Sequence, residues 1–123
     1  MPPATRWFVA GGKGAGTDPG SREAVSVFTG TLTADLLLGD VHSLKEKRAV
    51  VRPIVAELRR RFAVAVAEVG DPDLHRRAQV GVATVAGQPA HVADVLDACE
   101  RWLADRPEVM LLSTHRQLFS ETD

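Results

Sequence analysis

The sequence predicts one small α+β domain with the element order βαββαβ. Three observations point to it. One segment alternates apolar and polar residues with period two, two segments carry apolar residues at helical spacing, and short apolar runs follow each helix. A chain of 123 residues has room for one such domain, and its 45% apolar and 25% charged residues are ordinary for a globular protein.

Residues 25–38 form the first strand. Phe28, Leu32, Leu36 and Leu38 share one parity, and Thr29, Thr31, Thr33 and Asp35 share the other. The first helix opens at Ser43, with Glu46 three residues on in a capping box. Leu44, Val51, Ile54, Val55, Leu58 and Phe62 continue it, and Pro53 inside the pattern predicts a bend rather than a stop. Residues 62–69 suit the second strand, a hydrophobic edge, and residues 78–86 the third. Pro89 suits a first helical turn, and Val92, Val95, Leu96, Cys99, Trp102 and Leu103 give the second helix its apolar stripe until Pro107. Residues 109–113 make the last strand, with an apolar pattern running on toward Leu118. The order fits a ferredoxin-like fold: a four-stranded antiparallel sheet with both helices on one face.

The domain is expected over residues 25–119, with 120–123 frayed. Residues 1–24, rich in glycine and proline, are expected to be a disordered extension. The glycine-rich run 11–17 is no phosphate loop, because Gly14 follows Lys13 where Ser or Thr is needed. The single cysteine, Cys99, excludes an intrachain disulfide and fits a reducing compartment. No apolar run reaches the roughly 18 residues of a membrane span, so a cytoplasmic protein is expected.

No catalytic or metal motif stands out, and no cofactor is expected. His42, His75, His91 and His115 include no i, i+4 pair. His42 is expected near Asp40. Glu68 and Asp73 are expected to pair with Arg76 and Arg77 in a loop rather than to act as acid and base. Cys99 reads as a buried small hydrophobe.

The first helix is strongly basic. Lys45, Lys47, Arg48, Arg52, Arg59, Arg60 and Arg61 face only Glu46 and Glu57. At helical spacing Lys45, Arg48, Arg52 and Arg59 form one ridge, suited to successive phosphates. A solvated face, with arginine stems covering apolar surface, is the plain alternative, and a protein partner is the third. Lys47 falls on the apolar side, where it either snorkels past the sheet edge, the preferred reading, or points into a pocket at the end of the sheet. The open sheet face has Val27, Thr29, Thr31 and Thr33 and lacks the aromatics on which RNA-recognition sheets stack bases. Any RNA is therefore expected on the basic helix, through phosphates.

The run His42-Ser43-Leu44-Lys45-Glu46-Lys47-Arg48, then Val50-Val51, Leu58-Arg59-Arg60-Arg61-Phe62, Val66-Ala67-Glu68-Val69, Asp73-Leu74 and Arg77-Ala78, resembles the YlxP-like family of small bacterial proteins, a domain of unknown function. The resemblance covers about residues 27–118. It implies a ferredoxin-like fold and genes lying near those for translation initiation and ribosome maturation, with no established enzymatic activity. The family-motif residues are Ser43, Leu44, Lys45, Lys47, Arg48, Phe62, Glu68, Asp73 and Arg77. Two positions depart from the family: Ala63 stands where members usually have Asn, and His75 where they often have Trp. Members also begin just before the first strand. The first 24 residues are thus expected to be an extension, or the product of a start site placed too early with Val25 or Val27 as the true start. N-terminal sequencing of protein made from its own gene checks this, and Met1 or Pro2 at the terminus overturns it.

The sequence therefore leads to a non-enzymatic accessory protein bound to ribosomal or other RNA, with no membrane and no metal. The alternative is a homo-oligomeric interaction or regulatory module, a homodimer through the open sheet face or the edge strand.

Overall fold

The computed structural model describes residues 7–11 and 26–120. Five strands and two helices follow in the order β1 (Trp7–Gly11), β2 (Phe28–Leu38), α1 (Leu44–Phe62), β3 (Ala65–Val69), β4 (Arg77–Ala86), α2 (Pro89–Ala104) and β5 (Val109–Ser120). The sheet order is β1-β5-β2-β4-β3. From β2 onward this is the ferredoxin-like βαββαβ unit, with β2 and β4 central and every pair among β2–β5 antiparallel.

The period-two pattern places the core. Leu32, Ala34, Leu36 and Leu38 of β2 and Ala78, Val80 and Val82 of β4 are buried under the helices. Val51, Ile54 and Leu58 of α1 and Val92, Leu96, Cys99 and Leu103 of α2 cover them. Each Val, Leu or Ile among them contributes roughly 1.5–3 kcal/mol on leaving water. Gly30 belongs to this face. A Cβ there would stand 2.2 Å from Val92 Cγ1 and 3.0 Å from Leu96 Cδ1, so the absent side chain is what lets α2 approach β2. Phe62 and Trp102 meet edge to face at 6.5 Å, joining the two helices.

Several boundaries differ from the sequence expectation, beginning with β2, which opens at Phe28 and not at 25. Phe62 ends α1 instead of opening a strand. The chain turns at Ala63, at φ 52° and ψ 48°, whose N–H donates to the Arg59 carbonyl, and β3 starts only at Ala65. Helix α1, by contrast, continues through Pro53 without stopping, as expected; Pro53 is exposed, so the carbonyl that loses its donor lies on the solvent side. Strand β5 runs on to Ser120, with a register shift opposite Asp35 and Leu36.

A further difference lies in the N-terminal residues expected to be disordered. Residues 7–11 form β1, paired in parallel with Arg116 to Ser120 of β5. The backbone groups on the edge of β5 supply a partner that composition does not reveal. Of the end expected to fray over 120–123, Ser120 belongs to β5, and residues 121–123 lie outside the described residues with the rest of 1–24. Among the described residues, no helix is long and apolar enough to cross a membrane.

Candidate nucleic-acid interface

Helix α1 begins as its capping pattern dictates. Ser43 Oγ accepts from the Glu46 N–H at 3.1 Å, and Glu46 Oε1 accepts from the His42 N–H at 3.0 Å. His42 Nε2 lies 2.6 Å from Asp40 Oδ1, as expected, with both side chains in water. This end of the sheet also gathers the β3–β4 loop.

Lys47 is the residue that holds the loop there. Its side chain is 2% exposed, and Nζ donates to the carbonyls of Pro72 at 3.1 Å and Leu74 at 2.7 Å. It also lies 3.0 Å from Glu68 Oε2 on β3. Three oxygens thus occupy the three donors of the ammonium. The preferred reading, that Lys47 snorkels to solvent, is corrected: backbone carbonyls draw the ammonium inward. Lys47 accordingly leaves the set of candidate RNA contacts.

The remaining basic side chains of α1 divide in two. Arg60 and Arg61 both grip Glu57; Arg61 Nε stands 3.0 Å from Glu57 Oε2. The Arg60 hydrogen bond holds the Glu57 carboxyl below its ordinary range, opposed by partial burial and reinforced by Arg61. Arg59 donates from Nη2 to the Val66 carbonyl of β3 at 2.6 Å. It shares the wheel position of the ridge but bends down to the strand, so the expected four-residue ridge loses its last member.

Lys45, Arg48 and Arg52 are exposed, and among the described residues they have no hydrogen-bond or ion-pair partner. They fall within about 60° of one another around the axis and span about 10 Å along it. With Ala49 and Pro53 they line a shallow surface depression. Small side chains floor it and three cations stand around it, which suits an anion with several negative oxygens.

Glu68 on β3, Asp73 in the β3–β4 loop and Arg77 at the start of β4 are further family-motif residues, and the pairing expected there is corrected. Glu68 goes to Lys47, not to a loop arginine. Arg77 crosses to Asp35 on β2, with Nη2 to Oδ2 at 2.5 Å, and Arg76 Nε donates to the Gly39 carbonyl at 3.1 Å. The Asp73 N–H donates to Asp71 Oδ1 at 2.9 Å, closing the turn. His75 is exposed in this loop. Leu44 and Phe62 are half buried at the two ends of α1. Most of the motif therefore joins α1, β3, β4 and the intervening loop, leaving Lys45 and Arg48 facing water.

Sequence reasoning passed over Arg116. It sits on the helix-facing side of β5, 4% exposed, with Asp97 Oδ1 at 2.6 Å and Glu100 Oε1 at 2.7 Å. The signal was present: one arginine at core parity beneath two carboxylates spaced i, i+3 on α2. The acidity of α2 is thereby partly neutralised inside the domain. Cys99 is fully buried, and burial pushes its thiol up to about 11, against a smaller downward pull from Arg116. Among the described residues, no group of three or more His, Cys, Asp or Glu side chains is placed to hold a metal ion.

The comparison with known families decides the grouping. The family described as protein of unknown function, DUF503, matches residues 29–116. The chain belongs to this family. A relative, the uncharacterized protein YlxP of Bacillus subtilis strain 168, is 28% identical over 90 residues, covering 73% of this chain and 98% of the relative. The matched residues contain β2, α1, β3, β4, α2 and most of β5, so β1 lies outside the region that defines the family.

Proposed function

We propose that this domain is a non-enzymatic accessory protein that rests on the phosphate backbone of RNA, ribosomal RNA first, through Lys45, Arg48 and Arg52. The observation that carries the reading is the lack of partners for these three exposed cations among the described residues, set against the engagement of every other basic side chain of α1. A cation held by a carboxylate must lose that partner to bind phosphate, whereas a free one releases only counterions. The outward positions of the central strands support backbone rather than base contact. They carry Thr29, Thr31, Thr33, Asp35 and Leu37 on β2, and Arg77, Gln79, Gly81, Ala83 and Val85 on β4, with no aromatic among them.

The test is co-sedimentation with ribosomes of the native host at rising salt. Three phosphate contacts correspond to a logarithmic salt slope of about −2 to −3. The triple variant Lys45→Glu, Arg48→Glu, Arg52→Glu is expected to abolish association, and Arg60→Gln with Arg61→Gln to leave most of it. Absence of the unaltered protein from every ribosomal fraction, or equal loss in both variants, overturns the reading.

A second reading, a homo-oligomeric interaction or regulatory module, has one observation in its favour. Val85, 63% exposed, and Phe119, 36% exposed, flank Thr29 in register on the outward face. The edge strand β3 is less suited to it, because Arg59 already occupies the Val66 carbonyl.

A further inference from the structure

Strand β1 occupies an unusual place. It pairs with β5 alone, in parallel, from Trp7 opposite Arg116 to Gly11 opposite Ser120. It also lies outside residues 29–116, the part that matches the family, and within that part the sheet ends at β5. The edge that β1 covers is thus complete without it, and β1 behaves as a ligand joined to the domain by chain.

The register fixes how that connection runs. Gly11 and Phe28 are both in register with Ser120, so β1 and β2 flank β5 and their facing ends lie two strand spacings apart, about 10 Å. Residues 12–27 join them. Fully extended, that length of chain reaches about 50 Å. It is far longer than the closed arrangement requires, and long enough to deliver residues 7–11 to the β5 edge of a neighbouring molecule.

We infer that the outer edge of β5 is a strand-addition site that takes residues 7–11 of a second copy, giving strand-exchanged dimers. Exchange replaces each β1–β5 hydrogen bond with an identical one, so the balance rests on concentration. The tethered segment acts at an effective concentration of order millimolar, so the closed monomer dominates in dilute solution and exchange grows as the protein is concentrated. The other edge of the sheet does not compete, because Arg59 holds the Val66 carbonyl of β3.

The experiment uses the full chain and two variants, Phe8→Pro and Val9→Pro. Adjacent residues of a strand direct their N–H groups to opposite sides, so one of the two must remove a bond to β5. A fluorescent peptide of residues 5–12 is titrated into each protein, and sedimentation of each is followed up to millimolar concentration. The effective variant is expected to bind the peptide at least about tenfold more tightly than the parent, since its own competitor is disabled. The parent is expected to dimerise with rising concentration and that variant to remain monomeric. Circular dichroism establishes that each variant keeps its helices, and if the effective variant does not fold, the concentration dependence of the parent's sedimentation decides. Peptide affinity equal in parent and both variants, no binding to any of them, or a parent that stays monomeric throughout overturns the inference.

Discussion

Lys47 Nζ lies 3.0 Å from Glu68 Oε2, joining the first turn of α1 to strand β3 beneath the loop whose Pro72 and Leu74 carbonyls the same ammonium holds. The pair is asymmetric: the lysine side chain is 2% exposed and the glutamate 29%. Lys47→Met keeps the aliphatic stem and removes every donor, stranding two loop carbonyls and a carboxylate. It is expected to destabilise the domain by about 1.5–3 kcal/mol, the range for hydrogen bonds to a charged group. Glu68→Gln, at the wetter end, is expected to cost about 1 kcal/mol. Urea denaturation measures both, and hydrogen exchange is expected to show the 70–76 amides opening first in Lys47→Met. A Lys47→Met protein as stable as the parent would refute the clamp.

Ala63 supplies the second prediction. It adopts φ 52°, the left-handed conformation that closes a helix through a bond to the Arg59 carbonyl. A side chain with Cβ pays roughly 1–2 kcal/mol there, and glycine or asparagine is the usual occupant. Ala63→Gly and Ala63→Asn are therefore expected to stabilise the protein by about 1 kcal/mol, raising the melting temperature by roughly 4–8 °C. Differential scanning calorimetry reads the shift, and a lowered melting temperature in both variants contradicts the assignment of strain.

The contrast between these two residues shows what the sequence could disclose. The capping box at Ser43 and Glu46, the alternating parity of β2 and the stripe of α2 are local patterns, legible because period and residue type alone determine them. Lys47 and Arg59 were misplaced because their acceptors are backbone carbonyls of Pro72, Leu74 and Val66, which no residue letter advertises. Strand β1 escaped notice for a related reason. Its five residues gain their conformation by pairing with β5, more than a hundred positions away, and not from a pattern of their own. The exposed part of the ridge, Lys45, Arg48 and Arg52, was legible because the side chains of a helix surface keep their spacing when nothing draws them in.

Gly30 tests the packing of α2 on the sheet. The Cβ of Gly30→Ala would lie 2.2 Å from Val92 Cγ1, so α2 or the Val92 side chain must move. Overpacking of this kind is expected to destabilise by about 1–3 kcal/mol. Combining it with Val92→Ala removes the clashing methyl groups, and the double variant is expected to be more stable than the sum of the two single losses predicts. Denaturation of the four proteins of this cycle gives the coupling. Strict additivity would mean that the helix yields elsewhere.

Cys99 gives a pH dependence. The thiol is fully buried, and burial raises it from an ordinary 9.0 to about 11. The neutral form is therefore favoured in the folded state. In the unfolded chain the thiol ionises near pH 9, whereas in the folded domain it holds its proton until about pH 11. Between these values the unfolded state binds fewer protons, so stability falls with rising pH. The contribution is complete below about pH 9 and lost as pH passes through about 11. Cys99→Ala is expected to flatten this alkaline decline while lowering stability at neutral pH through the lost packing. A thiol reagent at pH 8 is expected to leave Cys99 unmodified in the native protein and to react on addition of denaturant, since the thiolate is the nucleophile. Rapid modification of the folded protein at pH 8 would show that the thiol is reached without unfolding, and the alkaline decline would then belong to other groups.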